Sequence, residues 1–151
     1  MGSIPLETIG PRHIELSYLA GFFDGEGCVL PDRIQVDNTN PLILEKYYSS
    51  FNGGTIALKK PKNDKMRACY RWTAYGEIAR NALREMMPYL IEKKEQALIN
   101  LDILNHKRSS PERAELIYKL KHLKRVNYDG YRQPSGVRGD GRNDQRTAKE
   151  A

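Results

Sequence analysis

The sequence predicts an α+β fold: a four-stranded antiparallel sheet with helices on one face, in the order α-β-β-α-β-β-α-α-α. Three observations predict it. Segments with apolar residues at near-helical spacing are interspersed with short segments that alternate between apolar and polar. Gly, Pro and Asn clusters separate these segments. The alternating segments come as two adjacent pairs, each joined by a polar turn, which is the pattern of two hairpins packed under helices.

Taken in order, residues from about Arg12 to Phe23 read as a helix, with Ile14, Leu16, Leu19, Phe22 and Phe23 on its apolar side and Gly25 and Gly27 as its stop. Cys28–Leu30 and Arg33–Asp37 are two short strands joined at Pro31-Asp32. Pro41 suits the first position of a second helix, whose apolar face is Leu42, Ile43, Leu44, Tyr47, Tyr48 and Phe51, and Asn52-Gly53-Gly54 breaks it. Thr55–Lys59 and Arg67–Tyr75 form the second hairpin around the turn Lys60-Pro61-Lys62-Asn63-Asp64-Lys65. Helices are predicted over Gly76–Met87 and Glu92–Leu104, separated by Pro88, and over Pro111–Tyr128. From Asp129 the composition turns to Gly, Arg, Pro, Asp and Asn, so residues 1–128 are expected to form one domain and 129–151 a basic, flexible tail.

Alternation assigns the two faces of the sheet. Ala68, Tyr70, Trp72 and Ala74 point one way, while Arg67, Cys69, Arg71, Thr73 and Tyr75 point the other. Ile34, Val36, Ile56 and Leu58 likewise oppose Arg33, Gln35, Asp37, Thr55 and Lys59. Helices are expected over the apolar face, which leaves a polar surface rich in Arg, Lys, Gln and Thr. An antiparallel sheet often shows one face to water, so the plain alternative is a solvated sheet face.

Composition narrows the class. The 151 residues suit a single domain, and 39% hydrophobic with 29% charged residues is ordinary for a globular protein. No apolar run reaches the roughly 18 residues of a membrane span, and no secretion signal opens the chain. The expectation is an intracellular protein, in the cytoplasm of a prokaryote or inside an organelle. Cys28 and Cys69 have no Cys or His at metal-ligand spacing, which argues against a zinc site or a disulfide scaffold. The net charge of +6 is compatible with a nucleic-acid partner and shared by many other basic proteins.

The segment that carries chemistry is Leu19-Ala20-Gly21-Phe22-Phe23-Asp24-Gly25-Glu26-Gly27, at the end of the first helix and just before a strand. Ala20 and Gly21 remove bulk from a helix face and allow a second helix close approach. A glycine inside a helix costs about 1 kcal/mol relative to alanine, so it wants a packing reason. Glu26 lies between two glycines at a helix terminus, suited to hold a hard cation through its carboxylate and a neighbouring carbonyl. The plain alternative is a core helix with a glycine C-cap and one exposed acid.

These nine residues resemble the LAGLIDADG signature of homing endonucleases, and Tyr18 and Lys93-Lys94-Glu95-Gln96-Ala97 extend the resemblance. The resemblance implies an αββαββα domain with a saddle-shaped sheet and C-terminal helices, and a metal-dependent endodeoxyribonuclease that hydrolyses both strands of a long, pseudo-palindromic duplex site. In that family the motif helices of two domains pack together, which implies contact residues Leu19, Ala20, Gly21, Phe22 and Asp24. One motif copy implies a homodimer. The acid at the eighth motif position binds an essential divalent metal, here Glu26 with the carbonyl of Gly25. Magnesium is the implied ion, with manganese substituting and calcium supporting binding without cleavage. A family lysine near the metal falls on Lys93, with Lys94 as the fallback. Asn38 falls near a polar residue that orders the reacting water, and is otherwise a turn or cap residue.

For the sheet, the resemblance implies a place in the DNA major groove. Arg33, Gln35, Arg67, Arg71 and Thr73 are then the candidate base readers, because Arg and Gln make bidentate contacts to guanine and adenine. Lys59, with Lys60, Lys62 and Lys65, is expected on phosphates. Two other functions suit the same motif: a maturase acting on its intron RNA, and a nuclease-inactive DNA-binding protein.

Overall fold

The computed structural model describes residues 10–123; the expected tail, and the predicted helix beyond Leu123, lie outside the described residues. The elements are α1 (Pro11–Glu26), β1 (Gly27–Val29), β2 (Arg33–Asn38), α2 (Pro41–Ser50), β3 (Thr55–Lys59), β4 (Cys69–Tyr75), α3 (Gly76–Met86), α4 (Lys94–Ile103) and α5 (Pro111–Leu123). A single 3-10 turn, Met87–Tyr89, sits at Pro88 between α3 and α4.

The strands form one antiparallel sheet in the order β1-β2-β4-β3. Each hairpin pairs within itself, and the two join through β2 and β4, with Val36 opposite Trp72 and Ile34 opposite Ala74. That register puts Val29, Ile34, Val36, Trp72 and Ala74 on the helix-covered face, all fully buried. Tyr47, Phe51 and Trp72 pack together above it, with ring centroids 5.1–6.1 Å apart. The Tyr47 hydroxyl donates to the Leu19 carbonyl at 2.6 Å, tying α1 to α2. Burial pushes that phenol well above its ordinary pKa, so it stays a neutral donor.

Local signals set most boundaries. Pro11 and Pro41 open α1 and α2, and the Asn40 side chain caps α2 by accepting from the Leu42 N–H at 3.0 Å. Three expectations need correction. The glycines do not stop the first helix at Phe23: it runs through Gly25 to Glu26, and Gly27 leaves it in an extended conformation directly into β1. The strand expected to start at Arg67 starts at Cys69, opposite Lys59, where its partner strand ends. Leu58, expected under the helices, is 57% exposed, because β3 is the edge strand.

Candidate active site

The end of α1 is held by a segment far away in sequence. The Asp24 carboxylate accepts from the Ile91 N–H at 2.8 Å and the Lys93 N–H at 3.0 Å. The Lys93 ammonium, with the residue 9% exposed, donates at 2.5 Å to the Asp24 carbonyl, one of the last carbonyls of α1. A cation on a helix C-terminus is favourable, since the carbonyls there carry the negative end of the helix dipole. The Lys93 ammonium therefore rests on a carbonyl two residues before Glu26, whereas Lys94 is exposed as the first residue of α4. Of the two lysines singled out in the sequence, the structure brings Lys93 to the motif.

Glu26, the last residue of α1, is exposed, and its carboxylate has no hydrogen bond or ion pair among the described residues. Gly25 beside it is exposed too. Asn38 ends β2, two residues beyond Val36, the partner of Gly27. Its side-chain oxygen accepts from the Asn40 N–H at 2.8 Å, so a turn role is fulfilled, and among the described residues its NH2 group keeps both donors.

The motif helix has two different sides. Leu19 and Ala20 are fully buried in the core of the single chain, and Phe22 is half-buried. Ile14 and Tyr18 are 62% and 61% exposed, and with Gly21 and Gly25 they follow one another along one face. A Cβ added at Gly21 or Gly25 would meet nothing within 4 Å. Among the described residues these two helical glycines have no packing reason.

The outer sheet face carries the other singled-out residues in registered rows. Gln35, Thr73 and Thr55 share one row, and Thr73 is buried between its neighbours at 9% exposure. Asp37, Arg71 and Ala57 share the next. Arg71 donates Nε–H to Asp37 Oδ1 at 2.6 Å and Nη2–H to Oδ2 at 2.8 Å, and Lys59 reaches Oδ2 at 3.3 Å. The Arg71 hydrogen bonds, more than its charge, hold the Asp37 carboxyl below the usual carboxylate range, and Asp37 raises Arg71 in turn. Arg33 pairs with Asp32 at 3.0 Å, and its guanidinium lies over the Tyr75 ring at 5.9 Å from the centroid, within cation-π reach. Arg67 lies outside the sheet in the exposed turn with Lys60, Lys62 and Lys65. Sequence reasoning placed Asp37 on this face and missed its pairing with Arg71; the register between two distant strands creates it.

The fold is that of the homing endonucleases, in agreement with the LAGLIDADG resemblance of residues 19–27. One similar solved structure is the homing endonuclease I-CvuI in complex with its target in the presence of calcium: 20% identity, TM-score 0.63, covering 78% of this chain and 86% of that one. Another is the archaeal intron-encoded homing endonuclease I-Vdi141I complexed with DNA: 20% identity, TM-score 0.61, covering 79% of this chain and 89% of that one. I-CvuI with an I-CreI target and magnesium, its DNA not cleaved, gives a TM-score of 0.62 at the same identity. No protein-family model and no curated protein matches the sequence. No helix among the described residues is long and apolar enough to cross a membrane.

Proposed function

We propose that the chain is a site-specific DNA endonuclease that acts as a homodimer, with two α1 helices packed together and two sheets laid on duplex DNA. The observation that carries this reading is the end of α1: an exposed, unpartnered carboxylate at Glu26, two residues from a carbonyl capped by the buried Lys93. The two helical glycines on the open face of α1 support a second helix there, since each costs about 1 kcal/mol without one. Ile14, Tyr18, Gly21, Phe22 and Gly25 make that contact, with Asp24 supporting it from behind, while Leu19 and Ala20 serve the chain's own core.

The donor set tests the metal. Glu26 and the Gly25 carbonyl are hard oxygen donors, the type that magnesium and calcium select. Among the described residues no group of three or more His, Cys, Asp or Glu is placed to hold an ion, so one chain offers half a site. The Glu26 of a second copy and the DNA phosphates complete it. A divalent ion held there supplies positive charge against the phosphate oxygens and acidity to a water. Lys93 keeps the end of α1 in place and adds positive potential beside the scissile phosphate. Asn38 keeps its NH2 donors for the attacking water.

On the sheet, Arg33, Gln35, Arg71 and Thr73 face base edges, and Lys59, Arg67 and the turn lysines meet phosphates. The test separates cutting from binding. Glu26→Gln keeps size and removes charge, so cleavage in magnesium is expected to fall about 100-fold or more, the effect of several kcal/mol of lost charge stabilisation. Binding in calcium is expected to persist. Cleavage at the normal rate by this variant overturns the assignment of Glu26, and binding without cleavage by the unmodified protein leaves the nuclease-inactive alternative.

A further inference from the structure

A carboxylate on a surface that meets phosphates is repelled by them, so Asp37 needs a reason to be there. Its geometry supplies one. Arg71 meets Asp37 side-on, through Nε and Nη2 at 2.6 and 2.8 Å, and this fork uses two of the five guanidinium N–H donors. Three remain: both hydrogens of Nη1 and the Nη2 hydrogen that lies beside them. That Nη1/Nη2 edge is a planar two-donor fork, the shape that fits O6 and N7 of guanine in the major groove. Ala57, the row neighbour of Arg71 on β3, is a small residue that leaves space next to the guanidinium.

We propose that Asp37 is a positioning residue for base recognition: it locks Arg71 side-on, so that the free Nη1/Nη2 edge reads one guanine in each half-site. The proposal rests on the reading of this sheet face as the DNA-facing surface. Both side chains are 33% exposed, which leaves them accessible to a ligand while the pair is already formed. Arginine pays for recognition mainly in rotamer freedom, and a reader held in advance by a carboxylate avoids most of that loss. The Arg71 hydrogen bonds also hold the Asp37 carboxyl below the usual carboxylate range, which favours the ionic form of the pair. Lys59 on Oδ2 braces the carboxylate from the edge strand, so the three-residue chain keeps one net positive charge toward DNA.

The test uses the full-length protein in calcium and a pool of randomised duplexes, from which bound sequences are recovered and then substituted one base pair at a time. Arg71→Ala is expected to lower guanine preference at one position of each half-site by about 5- to 150-fold, the range for one bidentate contact. Asp37→Asn is expected to weaken preference at that same position about tenfold, leave other positions unchanged and bind DNA at least as tightly overall. Asp37→Glu, which restores the carboxylate, is expected to recover part of the preference. The double variant should lose no more than Arg71→Ala alone, since the two act as one unit. Full guanine preference in Asp37→Asn overturns the proposal, as does a changed preference at a position that Arg71→Ala leaves untouched, which would make Asp37 a direct reader. If the unmodified protein recovers no duplex from the pool, the reading of the sheet as a DNA surface falls, and this proposal with it.

Discussion

Replacing Gly21 by leucine separates the folding of one chain from the pairing of two. A Cβ at this position meets nothing within 4 Å, so the larger side chain points into open space in the single chain. Leucine is a much better helix former than glycine, and the exchange is expected to stabilise the monomer by about 0.8 kcal/mol. In a chain of this size that raises the melting temperature by on the order of 3 °C. The proposed dimer responds with the opposite sign. A partner present at 100 times its dissociation constant contributes about 2.7 kcal/mol, and this contribution vanishes on dilution. A leucine that holds two α1 helices apart removes it at every concentration. The melting curves of the two proteins should therefore cross: the unmodified protein is the more stable when concentrated, and Gly21→Leu when dilute. Calorimetry or circular dichroism over a hundredfold range of protein concentration, with sedimentation alongside, reads both effects. A variant that melts below the unmodified protein even at the greatest dilution would show that Gly21 packs within its own chain. A variant that remains a dimer would refute the helix contact.

Two further substitutions probe how the end of α1 is held. Gly27→Ala places a Cβ 2.3 Å from Phe23 Cδ2 and 2.6 Å from the Phe23 carbonyl oxygen, and neither the buried ring nor the backbone can withdraw, so about 1–3 kcal/mol of stability should be lost. Denaturant unfolding at unchanged midpoint would contradict that geometry. Asp24→Asn puts an NH2 group against one of the N–H donors of Ile91 and Lys93, and removing one charge-assisted bond costs about 1.5–3 kcal/mol. The expected result is a lower melting temperature and a larger loss of cleavage than of DNA binding; an unshifted melting curve would sink the assignment.

The strands were legible where local alternation and register agree. Thr55–Lys59 matches its predicted bounds, and the apolar set Ile34, Val36, Trp72 and Ala74 lies where period-two alternation puts it. Errors arose where a distant partner decides. Alternation continues back to Arg67, yet the strand begins at Cys69 because the ladder needs Lys59 opposite. Gly25 and Gly27 both look like a helix stop, yet α1 runs through Gly25 and ends only at Gly27, and its end is tied by the Asp24 carboxylate to N–H groups 67 and 69 residues away. The motif and Lys93 could be found by their resemblance to a family. The fork between Asp37 and Arg71 joins residues 34 positions apart, and no spacing rule connects them. Its only sequence signal is an acid among basic residues on the same face of a sheet.

The one tryptophan of the chain gives the fold an optical property. Trp72 is fully buried on β4, its ring tilted against those of Tyr47 and Phe51, and its indole N–H donates to the Gly53 carbonyl at 3.0 Å. Gly54 has no room for a side chain there: a Cβ would come within 2.3 Å of the indole nitrogen. The indole lies on the helix side of the sheet, opposite to Asp37, Arg71 and Thr73. Intrinsic fluorescence therefore senses whether the two hairpins have closed over the helices, and is shielded from whatever the outer face touches. A ligand on that face leaves the emission quiet, while any loss of the β2–β4 pairing exposes the ring to water and shifts it to the red.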